Sequence, residues 1–211
     1  DWGAPSLGAP ETWSPALRTI VRTCLESPFP VNLWCGPELV LVYNDAYRSV
    51  LGAKHPRALG RPGLEVWGDI RGDLEPMFAQ IRAGGPPIYA EDARFVMMRA
   101  GDAGGTEAYF TFGLSAVRDD AGEIVAFFNP AAETTARILA DRSLAAANRA
   151  LEVERARLAT VFEGSPSFLA VLRGEHHRFE LANDAYLALV GGRPVVGLPL
   201  EEALPEIAAQ G

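Results

Sequence analysis

Two stretches far apart in the chain, YNDAYRSVLG (43–52) and ANDAYLALVG (182–191), share Asn-Asp-Ala-Tyr, three further residues, an aliphatic and a glycine. The likeness extends beyond the motif. GRPGLEVWGDI (60–70) aligns without gaps to GLPLEEALPEI (197–207), and each NDAY follows two short apolar runs. Such self-similarity marks a repeated structural unit. A 211-residue chain has room for one ordinary domain and part of another. The expected organisation is therefore a flanking segment (1–29), a first domain (30–130), a connecting helix (131–163) and the opening part of a second copy (164–211). That second copy stops before its long helix and last three strands would arrive.

Ser14-Pro15 offers an N-cap with proline at the first helical position. Leu17, Ile20, Val21 and Cys24 then recur at helical spacing, which predicts a helix over 14–27. VNLWC and LVLVY flank a Gly-Pro-Glu turn and read as a hairpin. Asn44 caps a short helix that Gly52 ends. DLEPMFAQIR places Leu74, Met77, Phe78 and Ile81 on one helix face. Strands are expected over 88–98, 108–117 and 123–129. In the middle one Phe110, Phe112 and Leu114 alternate with Tyr109, Thr111 and Gly113, the period of a sheet with one packed face. Two strands, short helices and three more strands make an α+β domain around an antiparallel sheet.

After Pro130 the composition turns to Ala, Arg, Glu and Leu, with no Gly or Pro until Gly164, the profile of one long exposed helix. Leu144, Leu151 and Leu158 fall seven apart. Ala140, Ala147 and Val161 occupy the companion row, which Glu154 interrupts. This short, imperfect heptad is compatible with a two-stranded parallel coiled coil and with a single helix lying against its own domain.

The formal net charge of −8 argues against a general nucleic-acid or anionic-membrane surface, which relies on excess Lys and Arg. Small ligands and other proteins are the expected partners. Two cysteines, Cys24 and Cys35, with no CxxC pair disfavour a disulfide framework or zinc ribbon and fit a reducing cytoplasm. No apolar run approaches the ~20 residues of a membrane helix.

The order of hairpin, NDAY helix, Leu-Gly-Arg segment, long helix and three strands resembles a PAS domain throughout residues 30–129. Trp2, Leu7-Gly8 and Trp13-Ser-Pro-Ala-Leu17 are similar to the lead-in of a PAS subclass in bacterial kinases. Glu133-Thr-Thr135 resembles the Asp-Ile-Thr element that ends many PAS domains and opens a signalling helix. The resemblance implies a tandem PAS sensory region, non-enzymatic in itself, from a bacterial two-component protein. A histidine kinase is the output it implies first, with diguanylate cyclase or phosphatase as alternatives. It also implies a parallel homodimer that relays a signal through Glu133, Thr135, Leu144, Leu151 and Leu158, and a cavity for a small-molecule ligand. Asn32, Trp34, Tyr47, Trp67, Met77, Phe78, Phe95 and Phe112 are the candidate lining residues. A ligand-free relay and a sensor with a noncovalent chromophore are the alternatives.

No cofactor is expected. The flavin photoreceptors of the family carry Gly-Arg-Asn-Cys-Arg, and the matching positions here read Gly60-Arg61-Pro62-Gly63-Leu64, without the reactive cysteine. A haem needs an axial ligand such as His. Residues 69–82 contain none, and His55 precedes them in an expected loop. His176-His177 fall in a predicted turn, where adjacent side chains point apart, and read as solvated rather than metal-binding. Cys35 reads as a small buried hydrophobe. Glu65, Asp69, Asp73 and Glu75 read as a solvated helix face. No catalytic constellation emerges.

Overall fold

The computed structural model describes residues 7–98 and 105–208; Trp2 of the lead-in lies outside them. The chain forms two compact units, residues 1–141 and 142–211.

In the first unit, α1 (Pro15–Glu26) starts where Ser14 Oγ accepts from Leu17 N at 3.2 Å. β1 (Val31–Cys35) and β2 (Val40–Tyr43) form the expected hairpin. Its turn needs Gly36, whose φ of +68° suits a residue without Cβ. α2 (Arg48–Leu51), α3 (Gly63–Val66) and α4 (Arg71–Arg82) precede β3 (Ile88–Met97), β4 (Thr106–Arg118) and β5 (Ile124–Glu133). The five strands lie in the order β2-β1-β5-β4-β3, with every neighbour antiparallel. This is the α+β architecture and strand count that the PAS resemblance implies.

β5 is longer than its sequence suggests. Pro130 reads as a stop, yet a proline removes only one donor. On its far side Ala131, Ala132 and Glu133 pair with Phe112, Thr111 and Phe110 of β4.

Strand alternation sorts the side chains into two layers. One face of the sheet, with α2 to α4, encloses a core that includes Trp34, Tyr47, Trp67, Phe78, Phe95, Phe112 and Phe127. Val31, Leu33, Cys35 and Val42 belong to the opposite face, where Leu17, Val21 and Cys24 of α1 pack with them. Burial pushes the Cys24 and Cys35 thiols up to about 12, so both are small protonated hydrophobes at neutral pH.

α5 (Thr135–Glu163) is a continuous helix of 29 residues, and the boundary between the two units falls within it. The second unit adds β6 (Ala170–Arg173), β7 (Arg178–Ala182), α6 (Asp184–Leu189), α7 (Leu200–Ala203) and α8 (Pro205–Ala208). The repeat is structural as well as sequential. Leu41 N donates to Arg61 O while Gly60 N donates to Leu41 O; likewise Phe179 N donates to Leu198 O while Gly197 N donates to Phe179 O. The core of this unit is small: Phe179, Ala182, Val195, Ala203 and Leu204.

Candidate functional site: an aromatic cavity and the helix latched to its sheet

Seven of the eight predicted lining residues surround one cavity: Trp34, Tyr47, Trp67, Met77, Phe78, Phe95 and Phe112. β1 supplies Trp34 from its inward row and α4 supplies Met77 and Phe78, while alternation on β3 and β4 aims Phe95 and Phe112 the same way. Val50, Ile70, Leu74, Phe110, Leu114, Asn129 and Ala131 complete the wall. Phe110 and Leu114 were readable from the alternation that marks Phe112. Asn129 was not, because its inward position follows from where β5 meets β1, a pairing between strands distant in sequence.

The cavity volume is about 50 Å³. For comparison, a single water needs roughly 10–15 Å³ and an apolar cavity of about 150 Å³ has held benzene. The space therefore holds a few small atoms. The aromatic side chains fill the remainder: Trp34 meets Phe78 edge-on at 4.9 Å, Phe78 meets Phe127 at 4.9 Å, and Phe95 lies 6.0 Å from both Phe110 and Phe112.

Asn32 is fully buried and sits behind this wall. Its neighbours fix the orientation of its amide. The nitrogen donates to Asn129 O at 2.9 Å and Asn129 Oδ1 at 2.6 Å, and the oxygen accepts from Trp34 Nε1 and Tyr47 OH, each at 3.3 Å. Asn129 Nδ2 in turn donates to Gly113 O at 2.7 Å. Asn32 is thus an internal strut that aligns two cavity aromatics, with its polar capacity used within the protein. Burial raises the Tyr47 phenol well above its ordinary value, which keeps it a donor. Trp67 Nε1, also buried, has no hydrogen-bond partner among the described residues.

Asp69 is exposed, as its sequence reading has it, but it also has partners that reading did not include. Its carboxylate binds Lys54 Nζ at 2.8 Å through Oδ1 and accepts from Met98 N at 2.7 Å through Oδ2. Lys54 Nζ also stands 4.1 Å from the Trp67 ring centroid. Helical spacing suggested a solvated acid; partners distant in sequence make it a clamp between Lys54 and the end of β3.

The sheet also grips the start of α5. β3 bulges between Ala90 and Ala93, with Asp92 at a φ of +50°. Arg137 Nη2 donates to both carboxylate oxygens of Asp92 at 2.6 Å, and Thr134 Oγ1 donates to Oδ1 at 2.7 Å. These hydrogen bonds, Arg137's first, hold the Asp92 carboxyl below its usual range. Thr134 N donates to Tyr109 O at 2.7 Å, and Tyr109 N donates to Thr135 Oγ1 at 3.0 Å. Thr135 Oγ1 also donates to Glu133 at 2.8 Å. Glu133 and Thr135, predicted from the motif, thus stand at this junction; Asp92 and Arg137 were missed, since nothing in the sequence pairs residues so far apart.

No residue described in α5 is buried. Leu144, Leu151 and Leu158 are 62%, 52% and 60% exposed, and Val161 is exposed beside them. His176 and His177 occupy the β6–β7 turn, and the described residues contain no group of three His, Cys, Asp or Glu able to hold a metal. Among the described residues no helix is long and apolar enough to cross a membrane.

The family profile described as PAS domain matches residues 156–210, the end of α5 and most of the second unit. No curated protein matches the chain. Among solved structures, the chain is similar to an RNA-binding light-oxygen-voltage receptor at 20% identity and a TM-score of 0.42, covering 69% of this chain and 40% of that one. It is similar to the PAS domain of Bordetella pertussis BvgS at 15% identity and a TM-score of 0.39, covering 63% and 97%. A PAS domain from a Colwellia psychrerythraea protein is similar at 11% identity and a TM-score of 0.41, covering 56% and 97%.

Proposed function

We propose that the chain is a non-enzymatic sensory and relay segment of a larger signalling protein. A change of packing in the first unit moves the start of α5, and α5, paired with a second copy, passes it on. The observation that carries this reading is the junction at Asp92. β3 and β4 supply Phe95, Phe110 and Phe112 to the cavity wall, and the same strands hold Thr134, Thr135 and Arg137 through Asp92 and Tyr109. A shift of those aromatics therefore acts on the strands that anchor the helix. The partner proposed for α5 is a second, parallel copy. No described residue of α5 is buried within the chain, and the exposed Leu144, Leu151 and Leu158 row has the heptad spacing of a coiled-coil seam. A histidine kinase elsewhere in the parent protein is the proposed output.

The cue is a very small ligand or a change in the domain's own packing. The cavity of about 50 Å³ favours the second version, a ligand-free relay, and Trp67, Phe78, Phe95 and Phe112 converge as that version requires. A bound ring system would need the wall to rearrange. The absorption spectrum of the purified chain, followed by a thermal-shift screen of metabolites, tests this. The ligand-free relay predicts no visible band and no stabilising compound; a compound that raises the melting temperature in proportion to its occupancy replaces it with the ligand-sensing version.

A further inference from the structure

The asparagine of each NDAY motif does more than cap a helix. Asn44 Oδ1 accepts from Tyr47 N at 3.0 Å, the cap bond, and from Val31 N at 3.2 Å. Its Nδ2 donates to Ser27 O at 2.9 Å and Phe29 O at 2.6 Å, and Ser27 is the C-cap of α1. Asn183 repeats the arrangement in the second unit. Its Oδ1 accepts from Tyr186 N at 2.9 Å and Leu169 N at 3.0 Å. Its Nδ2 is shared among Phe162 O at 3.1 Å, Ser165 O at 3.3 Å and Ser167 O at 2.9 Å. Both side chains are buried, Asn183 completely.

Three partners correspond, Ser27 with Ser165, Phe29 with Ser167 and Val31 with Leu169, while the bond to Phe162 O, inside α5, is added in the second copy. A proline follows the serine in both copies. The repeat therefore begins upstream of the hairpin, at the C-terminal end of α1 in the first copy and at the C-terminal end of α5 in the second, although α1 packs its apolar face on the sheet and no described residue of α5 is buried. Carbonyls at a helix C-terminus lack intrahelical partners, and in each copy the asparagine donates to this stretch. Glu163 adds to the joint, since Asp184 N donates to its Oε2 at 3.3 Å.

We infer that Asn44 and Asn183 are latches that fasten an incoming helix to its domain, and that Asn183 is the point where the second unit receives α5. α5 is then held at both ends, by Asp92 with Arg137 at its start and by Asn183 at its finish. This inference rests on the relay reading of α5 and assigns the residue through which the relay is received.

Aspartate separates a latch from a cap. It caps as well as asparagine does, but an ionised carboxylate only accepts hydrogen bonds and cannot donate to Phe162, Ser165 or Ser167. Amide hydrogen exchange on the full chain reads the difference. In Asn183→Asp the Tyr186 and Leu169 amides are expected to stay protected while residues 160–166 exchange roughly tenfold faster or more. Asn44→Asp, set in the larger core, gives the same reading at the end of α1 if Asn183→Asp does not fold. Wild-type exchange at both helix ends overturns the latch and leaves a plain cap. A second arm uses Arg137→Ala, which is expected to alter exchange at 160–166 in the wild-type background and not in Asn183→Asp. If Asn183→Asp loosens those residues but Arg137→Ala leaves them unchanged, the latch stands and the relay reading of α5 fails.

Discussion

Gly63 offers a severe test of how tightly the cavity wall is packed. A Cβ at this position meets Trp34 Cζ3 at 2.3 Å, Trp34 Cε3 at 2.4 Å and Leu39 O at 2.9 Å. The indole would have to retreat by more than 1 Å, since ordinary contacts begin at 3.4 Å. Its retreat is blocked by Phe78, 4.9 Å away, in a cavity of only about 50 Å³. Overpacking of a full core costs typically about 1–3 kcal/mol, and a clash against both a rigid ring and a backbone carbonyl belongs at the upper end. Gly63→Ala is thus expected to lose roughly 3 kcal/mol, which for a unit of this size lowers the melting temperature by roughly 6–12 °C. The assay is urea and thermal unfolding followed by circular dichroism, with the transition of the first unit analysed separately because two units need not unfold together. Trp34→Leu should be destabilising alone through the space it leaves, yet should offset much of the Gly63→Ala loss in the double variant, giving a large favourable coupling. Gly63→Ala with wild-type stability, or additive losses in the double variant, would refute the packing argument.

The junction at Asp92 predicts a pH dependence. Its carboxyl is held below the ordinary value, so its contribution is fully present above the unfolded carboxylate pKa of about 3.9 and is lost as pH falls through the lower folded value. The stability difference between the chain and Asp92→Asn should be constant above about pH 4 and shrink below it; a difference that grows on acidification contradicts the pairing. With their thiol pKa values raised to about 12 and both side chains buried, Cys24 and Cys35 should resist a thiol reagent at pH 8 in the folded chain and react fully in denaturant. Reaction of either native thiol at the unfolded rate would show that the α1 face of the sheet opens readily.

What the sequence disclosed and what it withheld divide along sequence separation. The helices, the hairpins and the repeat rest on caps, turn residues and periodicities within a few positions, as with Ser14, Gly36 and Gly52. The inward row of β4 was equally local. The direction of Asn32 was not, because a strand buried on both faces carries no alternation; its orientation emerges only when β1 lies beside β5. Asp69, Asp92 and Asn44 changed meaning for the same reason. The first read as a solvated acid, the second as one more position of an expected strand and the third as a cap, until partners from elsewhere in the chain turned them into a clamp, an anchor and a latch. Divergence between the copies is informative too: Leu200 stands at the position of Gly63 and Leu172 at that of Trp34, so the close approach of an indole to a glycine that shapes the first cavity is not repeated in the second copy.

The claim on which the relay depends is that α5 pairs in parallel with a second copy. Leu144→Cys and Leu158→Cys, made separately in the full chain, test it under mild oxidation, with Cys24 and Cys35 buried and out of reach. Parallel pairing in register brings identical residues of the exposed row face to face, so both variants are expected to form disulfide-linked dimers efficiently at low micromolar concentration. Failure of both to cross-link, with sedimentation showing a monomer for the unmodified chain, would contradict the account.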